Sequence, residues 1–214
     1  MEKEARRNAK EALVKSYREA NRTALKGQTV FTGSSLMEMF PIEPWIKELG
    51  ESAPVVYNRG VGGYQTEDLL LILDACVFDL EPAKVFINIG TNDLGVPERT
   101  VEEMIGNYDR ILTQIENRLP DVKIYLMAYY PVNFQAAAEE VKPLLQIRSN
   151  EKVALANEQV KALAKRHGQR YIDVSAPLKD ADGNLKAEYT VEGLHIKPEG
   201  YRAIFADVMR YVRE

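Results

Sequence analysis

Four short segments of this 214-residue chain hold the residue types that serine-based hydrolysis requires. Gly33-Ser34-Ser35-Leu36 offers a hydroxyl, and Glu192-Gly193-Leu194-His195 offers an imidazole with a carboxylate three residues before it. Gly60-Val61-Gly62-Gly63 and Gly90-Thr91-Asn92-Asp93 offer bare backbone and a carboxamide. Ester hydrolysis by a serine needs a nucleophile, a base, a group that orients the base, and donors for the oxyanion. Glycine lets a backbone N–H approach developing charge with no side chain in the way. Taken singly, each segment has an ordinary reading. Ser35 is a helix cap, Gly62-Gly63 a turn, Asn92-Asp93 a loop or capping pair, and His195 a packed histidine.

The elements that would position these residues alternate along the chain. Thr29-Val30-Phe31-Thr32, Val55-Val56-Tyr57-Asn58, Val85-Phe86-Ile87-Asn88-Ile89, Ile124-Tyr125-Leu126-Met127-Ala128 and Tyr171-Ile172-Asp173-Val174 are short runs rich in β-branched and aromatic residues. Continuous apolar runs suit strands covered on both faces, as in a parallel sheet. Helical segments lie between them. Thr100-Val101-Glu102-Glu103 has capping-box spacing, Asn150 is placed to cap a helix ending near His167 and Gly168, and Pro198 opens the last helix. Five strands alternating with helices predict an α/β fold with the strand order 2-1-3-4-5. In such folds the site lies beyond the carboxyl ends of the strands, where the first three segments follow strands one, two and three. Residues 1–24 read as an N-terminal helical extension packed on a single domain of residues 25–214. Ala5, Ala9, Leu13 and Tyr17 form its apolar stripe, which could alternatively serve as a homodimer contact.

Together the four segments resemble the conserved blocks of the SGNH (GDSL-like) hydrolases. Phe31-Thr32-Gly33-Ser34-Ser35-Leu36 resembles the Gly-Asp-Ser-Leu block, Gly60-Val61-Gly62-Gly63 the glycine block, and Glu192-Gly193-Leu194-His195 the Asp-x-x-His block. Gly90-Thr91-Asn92-Asp93 matches the Gly-x-Asn-Asp block in full. The resemblance spans residues 31 to 201 and implies a flavodoxin-like three-layer α/β/α sandwich. It also implies Ser35 as nucleophile, His195 as base, and Ser35, Gly63 and Asn92 as the oxyanion hole. Ser34, Tyr64 and Glu192 stand where the family usually has Asp. Glu192 therefore either replaces the triad acid or leaves His195 in a Ser–His dyad supported by a backbone carbonyl.

Composition narrows the remaining classes. A formal charge of −4 shows no basic excess of the kind a nucleic-acid binder carries. One cysteine, Cys76, excludes an intramolecular disulfide, and its apolar surroundings predict a buried thiol. Two histidines with no cysteine pair near either argue against a metal site. No apolar run has the length of a membrane span or a secretory core, which points to a cytoplasmic protein without a membrane partner. His167, near a helix end beside Lys165 and Arg166, reads as a favourable dipole partner. Tyr129, Tyr130 and Phe134 read either as the lining of an acyl or sugar pocket or as packing under a lid. Gly33-Ser34-Ser35-Leu36-Met37 lacks the last glycine of the Gly-x-Ser-x-Gly elbow, and Gly60-Val61-Gly62-Gly63 lacks the spacing of a dinucleotide fingerprint.

The expected protein is thus a cofactor-free serine esterase that cleaves a small acyl ester, acetyl or short-chain, through an acyl-enzyme. Its activity should fall on acidification as His195 is protonated. Two other readings stay open: a catalytically inactive small-ligand or carbohydrate binding module on the same fold, and an assembly role led by the N-terminal helix.

Overall fold

The computed structural model describes residues 1–214, the Glu2 side chain excepted. Five parallel strands form one sheet in the order β2-β1-β3-β4-β5. They are β1 (Thr29–Gly33), β2 (Val56–Gly60), β3 (Lys84–Asn88), β4 (Lys123–Met127) and β5 (Arg170–Ile172). Each lies within about two residues of its expected run, the scatter usual at element ends.

Alternation along the strands divides the core. Val85 and Ile87 of β3 and Ile124 and Leu126 of β4 point to one face, and Phe86, Tyr125 and Met127 point to the other. The first face is covered by α1 (Glu2–Asn21), α4 (Thr66–Leu71), α5 (Leu73–Cys76), α6 (Val101–Arg118) and α8 (Asn150–Arg166). The second is covered by α2 (Ser35–Glu38), α3 (Ile42–Lys47) and α9 (Pro198–Arg213). The short α7 (Lys142–Ile147) sits outside these layers, near the strand ends. On the second face, Phe31, Phe86 and Tyr125 are register neighbours on adjacent strands, and their rings stack with centroids 4.5 Å apart at each step. Such cross-strand aromatic pairs add roughly 0.5–1.5 kcal/mol each beyond area burial.

The helix signals resolve as follows. Thr100 and Glu103 form the capping box at the start of α6, and Pro198 is the first residue of α9. Asn150 is not the cap of α8: Ser149 accepts the Lys152 N–H in that role. The Asn150 carboxamide instead pairs with both backbone groups of Val132 and with Asn184 Oδ1, tying α8 to the loop after β4. His167 is held by more than a helix dipole, because Nδ1 lies 2.8 Å from Glu116 and Nε2 3.0 Å from Asp109, both on α6. Cys76 is fully buried, and burial pushes its thiol up to about 12.

α1 packs on the body of the protein through the second half of the expected stripe, Leu13 and Tyr17, and not through the first. Ala5 and Ala9 are exposed, while Val14 and Asn21 are buried. Asn21 donates to the Ala75 carbonyl and accepts from Arg59, and the Tyr17 hydroxyl donates to the Gly60 carbonyl at 2.7 Å. The C-terminal half of α1 is therefore the anchored half. Its N-terminal half extends over the carboxyl end of the sheet, where Arg6, Ala9 and Lys10 reach the cleft described next. Among the described residues, no helix is long and apolar enough to cross a membrane.

Candidate active site

Gly33, the last residue of β1, is in register with Gly60 of β2 and Asn88 of β3. Three neighbouring strands thus end level, and the segments that follow them converge. The chain turns sharply at Gly33 (φ +147°), where a Cβ would lie 2.0 Å from the Asn88 carbonyl oxygen. Only glycine permits that approach. Ser34 then bridges into α2, its N–H donating to the same Asn88 carbonyl, and Ser35 becomes the first helical residue. At that position the Ser35 N–H has no intrahelical acceptor and remains available to a ligand.

His195 arrives from the far end of the chain. Its Nε2 lies 3.0 Å from Ser35 Oγ, and its Nδ1 contacts Glu192 Oε1. The same Glu192 oxygen accepts the His195 backbone N–H at 3.2 Å, while Glu192 Oε2 is buried and has no hydrogen-bond partner among the described residues. Thr190, which motif spacing did not single out, braces this turn. Its hydroxyl accepts the Gly193 N–H and donates to the His195 carbonyl, and its backbone bridges to Ile196. A threonine three residues before a glycine, the spacing of a side-chain-to-backbone turn, was the only local sign of it.

The glycine segment curls over Ser35. Gly63 adopts a left-handed conformation (φ +71°) that keeps its backbone bare toward the cleft. Glu38, a residue outside the recognised motifs, accepts the Gly62 N–H and so ties this turn to α2. Asn92 sits on the third segment with its Nδ2 donating to the Tyr64 carbonyl at 2.9 Å, which leaves one N–H of the carboxamide unspent. Asp93 anchors that segment from below: it is buried and accepts both the backbone N–H and the hydroxyl of Thr66. Burial drives its carboxyl pKa up against the hydrogen bonds from Thr66.

A cleft of about 670 Å³ opens above these groups. Ser35, Gly63, Asn92 and His195 line its floor, Leu144 and Leu194 supply apolar wall, and Arg6 and Lys10 of α1 stand at its side. The site residues read from the four segments therefore meet in one place. The aromatic residues do not. Tyr129 and Tyr130 are buried in the core, with the Tyr129 hydroxyl donating to the Ile89 carbonyl, and neither they nor Phe134 line the cleft. Ser34 is also buried and its Oγ lacks a partner among the described residues. No three His, Cys, Asp or Glu side chains among the described residues gather as metal ligands.

A hydroxyl bonded to an imidazole that is bonded in turn to a carboxylate is an arrangement able to activate a nucleophile. Comparison with known proteins shows what the whole chain is similar to. The model of the GDSL-like Lipase/Acylhydrolase family matches residues 31–203. A GDSL esterase/lipase of Arabidopsis thaliana is 29% identical over 177 residues, covering 74% of this chain and 72% of that protein. The platelet-activating factor acetylhydrolase IB subunit alpha2 of Rattus norvegicus is 27% identical over 178 residues, covering 82% and 71%. A solved structure of a candidate platelet activating factor from Streptococcus pneumoniae superimposes with a TM-score of 0.83 at 34% identity, covering 95% of this chain and 92% of that one.

Proposed function

The chain belongs to the GDSL-like lipase/acylhydrolase family and is a hydrolase acting on ester bonds, and we propose that it is a serine esterase cleaving a small acyl ester through an acyl-enzyme. The observation that carries this reading is the continuous hydrogen-bonded chain from Ser35 Oγ to His195 Nε2, 3.0 Å, and from His195 Nδ1 to Glu192.

His195 takes the Ser35 proton as Oγ attacks the ester carbonyl. Charge moves to the carbonyl oxygen, where the Ser35 and Gly63 amides and the unspent Asn92 N–H receive it. Each such donor is worth about 10²–10³ in rate. The imidazolium then protonates the leaving alcohol as the tetrahedral intermediate collapses to the acyl-enzyme. Water, deprotonated by the same imidazole, attacks the acyl group and regenerates Ser35. Throughout, Glu192 holds Nδ1 protonated and aims Nε2 at the nucleophile. Because the floor of the cleft supplies nucleophile, base and donors from the protein itself, the steps written here use no cofactor.

A short acyl group is favoured by the acetylhydrolase relative from Rattus norvegicus, which is named for removal of an acetyl group.

The test is intact mass after exposure to a fluorophosphonate, with p-nitrophenyl acetate hydrolysis alongside, for wild type and Ser35→Ala. One covalent adduct on wild type, absent from the variant and matched by lost hydrolysis, is the expected result. A folded wild type that forms no adduct and turns over no ester would overturn the esterase reading in favour of a binding module.

A further inference from the structure

α1 places unusual charge beside the nucleophile. Lys3, Arg6, Arg7 and Lys10 recur at the spacing that puts residues on one helix face. They border a second, smaller cavity of about 320 Å³ that shares Arg6 and Lys10 with the Ser35 cleft. Carboxylates also stand near this stripe. Glu11 pairs with Arg7 at 3.6 Å, and Asp68 accepts the Gln65 N–H at 2.9 Å. Glu38, within the cleft, accepts the Gly62 N–H. Lys10 differs from all of these. Its ammonium lies over the Tyr64 ring, 5.0 Å from the centroid, and only 2.8 Å from where a Cβ on Gly63 would stand. The charge is therefore held within a few ångströms of the proposed oxyanion site.

We infer that the ester accepted by this cleft carries an anionic group, a carboxylate or a phosphate, and that Lys10 with Arg6 beside it selects for that charge. The inference rests on the serine-esterase reading above and adds a substrate class to it. A single small ester fits better than a lipid surface. The residues of α1 that share the cleft with the cations include exposed Ala9 and half-buried Leu13, too little apolar area for a membrane-seeking face. Lys10 and Arg6 lie on α1, outside the stretch that the family model matches, residues 31–203.

Two acetates with matched geometry test the inference on the full chain: 4-acetoxybenzoate, which is anionic, and 4-acetoxybenzamide, which is neutral. The wild type should prefer the benzoate by about fivefold in kcat/KM at low salt, mainly through KM, and the preference should shrink as salt rises. Lys10→Met should bring the ratio close to one, and Lys10→Glu should invert it. Equal kcat/KM for the two esters in wild type would overturn the inference, as would a ratio that Lys10→Met leaves unchanged. Loss of both activities in the same proportion would also overturn it, because a general oxyanion role for Lys10 predicts that result. Protection of Ser35 from fluorophosphonate by benzoate against benzamide reads the same preference without turnover. Failure of fluorophosphonate to label Ser35 at all would overturn the esterase reading and this inference together, whereas labelling with no charge preference removes only the inference.

Discussion

One oxygen of Glu192 receives both the ring Nδ1 and the backbone N–H of His195, three residues further along the chain. The two contacts fix the imidazole in position and in tautomer, so that Nε2 faces Ser35 as an acceptor. The second Glu192 oxygen is buried without a partner among the described residues, an arrangement costly for a carboxylate unless its first oxygen is well satisfied. Glu192 thereby stands in the place proposed for the orienting acid, in a turn that Thr190 braces. Glu192→Gln should lower kcat/KM about 10²–10⁴-fold with the fold intact, read by steady-state kinetics and circular dichroism. A loss under about threefold would instead mark the site as a Ser–His dyad.

Asn92 divides its carboxamide between the Tyr64 carbonyl and the cleft. Asn92→Ala removes the proposed oxyanion donor and its bond to the Tyr64 carbonyl together. The expected loss is about 10²–10³ in kcat, with fluorophosphonate labelling of Ser35 slowed but not abolished. An unchanged kcat would remove Asn92 from the oxyanion hole.

The rate should depend on pH through His195, which must be neutral at Nε2 to accept the Ser35 proton. Hydrolysis of p-nitrophenyl acetate should therefore be slower at about pH 5 than at about pH 8. A flat profile across that range would count against His195 as the base.

His167 should show the opposite pH behaviour, in stability and not in rate. Burial works against its charged form, but hydrogen bonds and charge from Glu116 and Asp109 outweigh this and raise its pKa. A pKa raised in the folded state adds stability below the unfolded value, about 6.5, and that stability is lost as pH rises through the folded value. The hydrogen bond from His167 in turn lowers the Asp109 carboxyl, a contribution present above the unfolded aspartate value and lost in acid. His167→Gln should cost on the order of 1 kcal/mol near pH 6 and less near pH 9. Thermal melts at both pH values check this, and a constant difference would show that packing alone matters there.

Gly33 tests the turn that delivers the nucleophile. A methyl group there would stand 2.0 Å from a backbone carbonyl oxygen, in a conformation that L side chains rarely adopt. Gly33→Ala should destabilise by at least about 3 kcal/mol, seen as a lowered melting temperature or loss of soluble protein. Gly63→Ala meets only the end of the flexible Lys10 side chain, at 2.8 Å. It should cost less stability, about 1 kcal/mol from backbone strain, while still lowering activity.

The parts of this protein legible in its sequence are those set by short-range physics. Strand runs, the Thr100–Glu103 box and the Pro198 start depend on contacts three or four residues apart or on one residue's allowed backbone angles. Ser35, Gly63, Asn92 and His195 were found as blocks because each block is a local turn with its own residue requirements. Folding decided what lies far apart in the chain. Packing against α5 and the β2 end covers the C-terminal half of α1, burying Val14 and Asn21 and half-burying Leu13 and Tyr17, and leaves Ala5 and Ala9 exposed. The same placement carries Lys10 to Gly63. Tyr129 and Tyr130, just past the end of β4, went into the cores on opposite faces of the sheet, and the Asn150 side chain binds the loop after β4 in place of capping α8. A sequence states which groups a segment can offer. Which neighbour receives them depends on the relative placement of whole elements, and that is determined only when the faces of the sheet are buried.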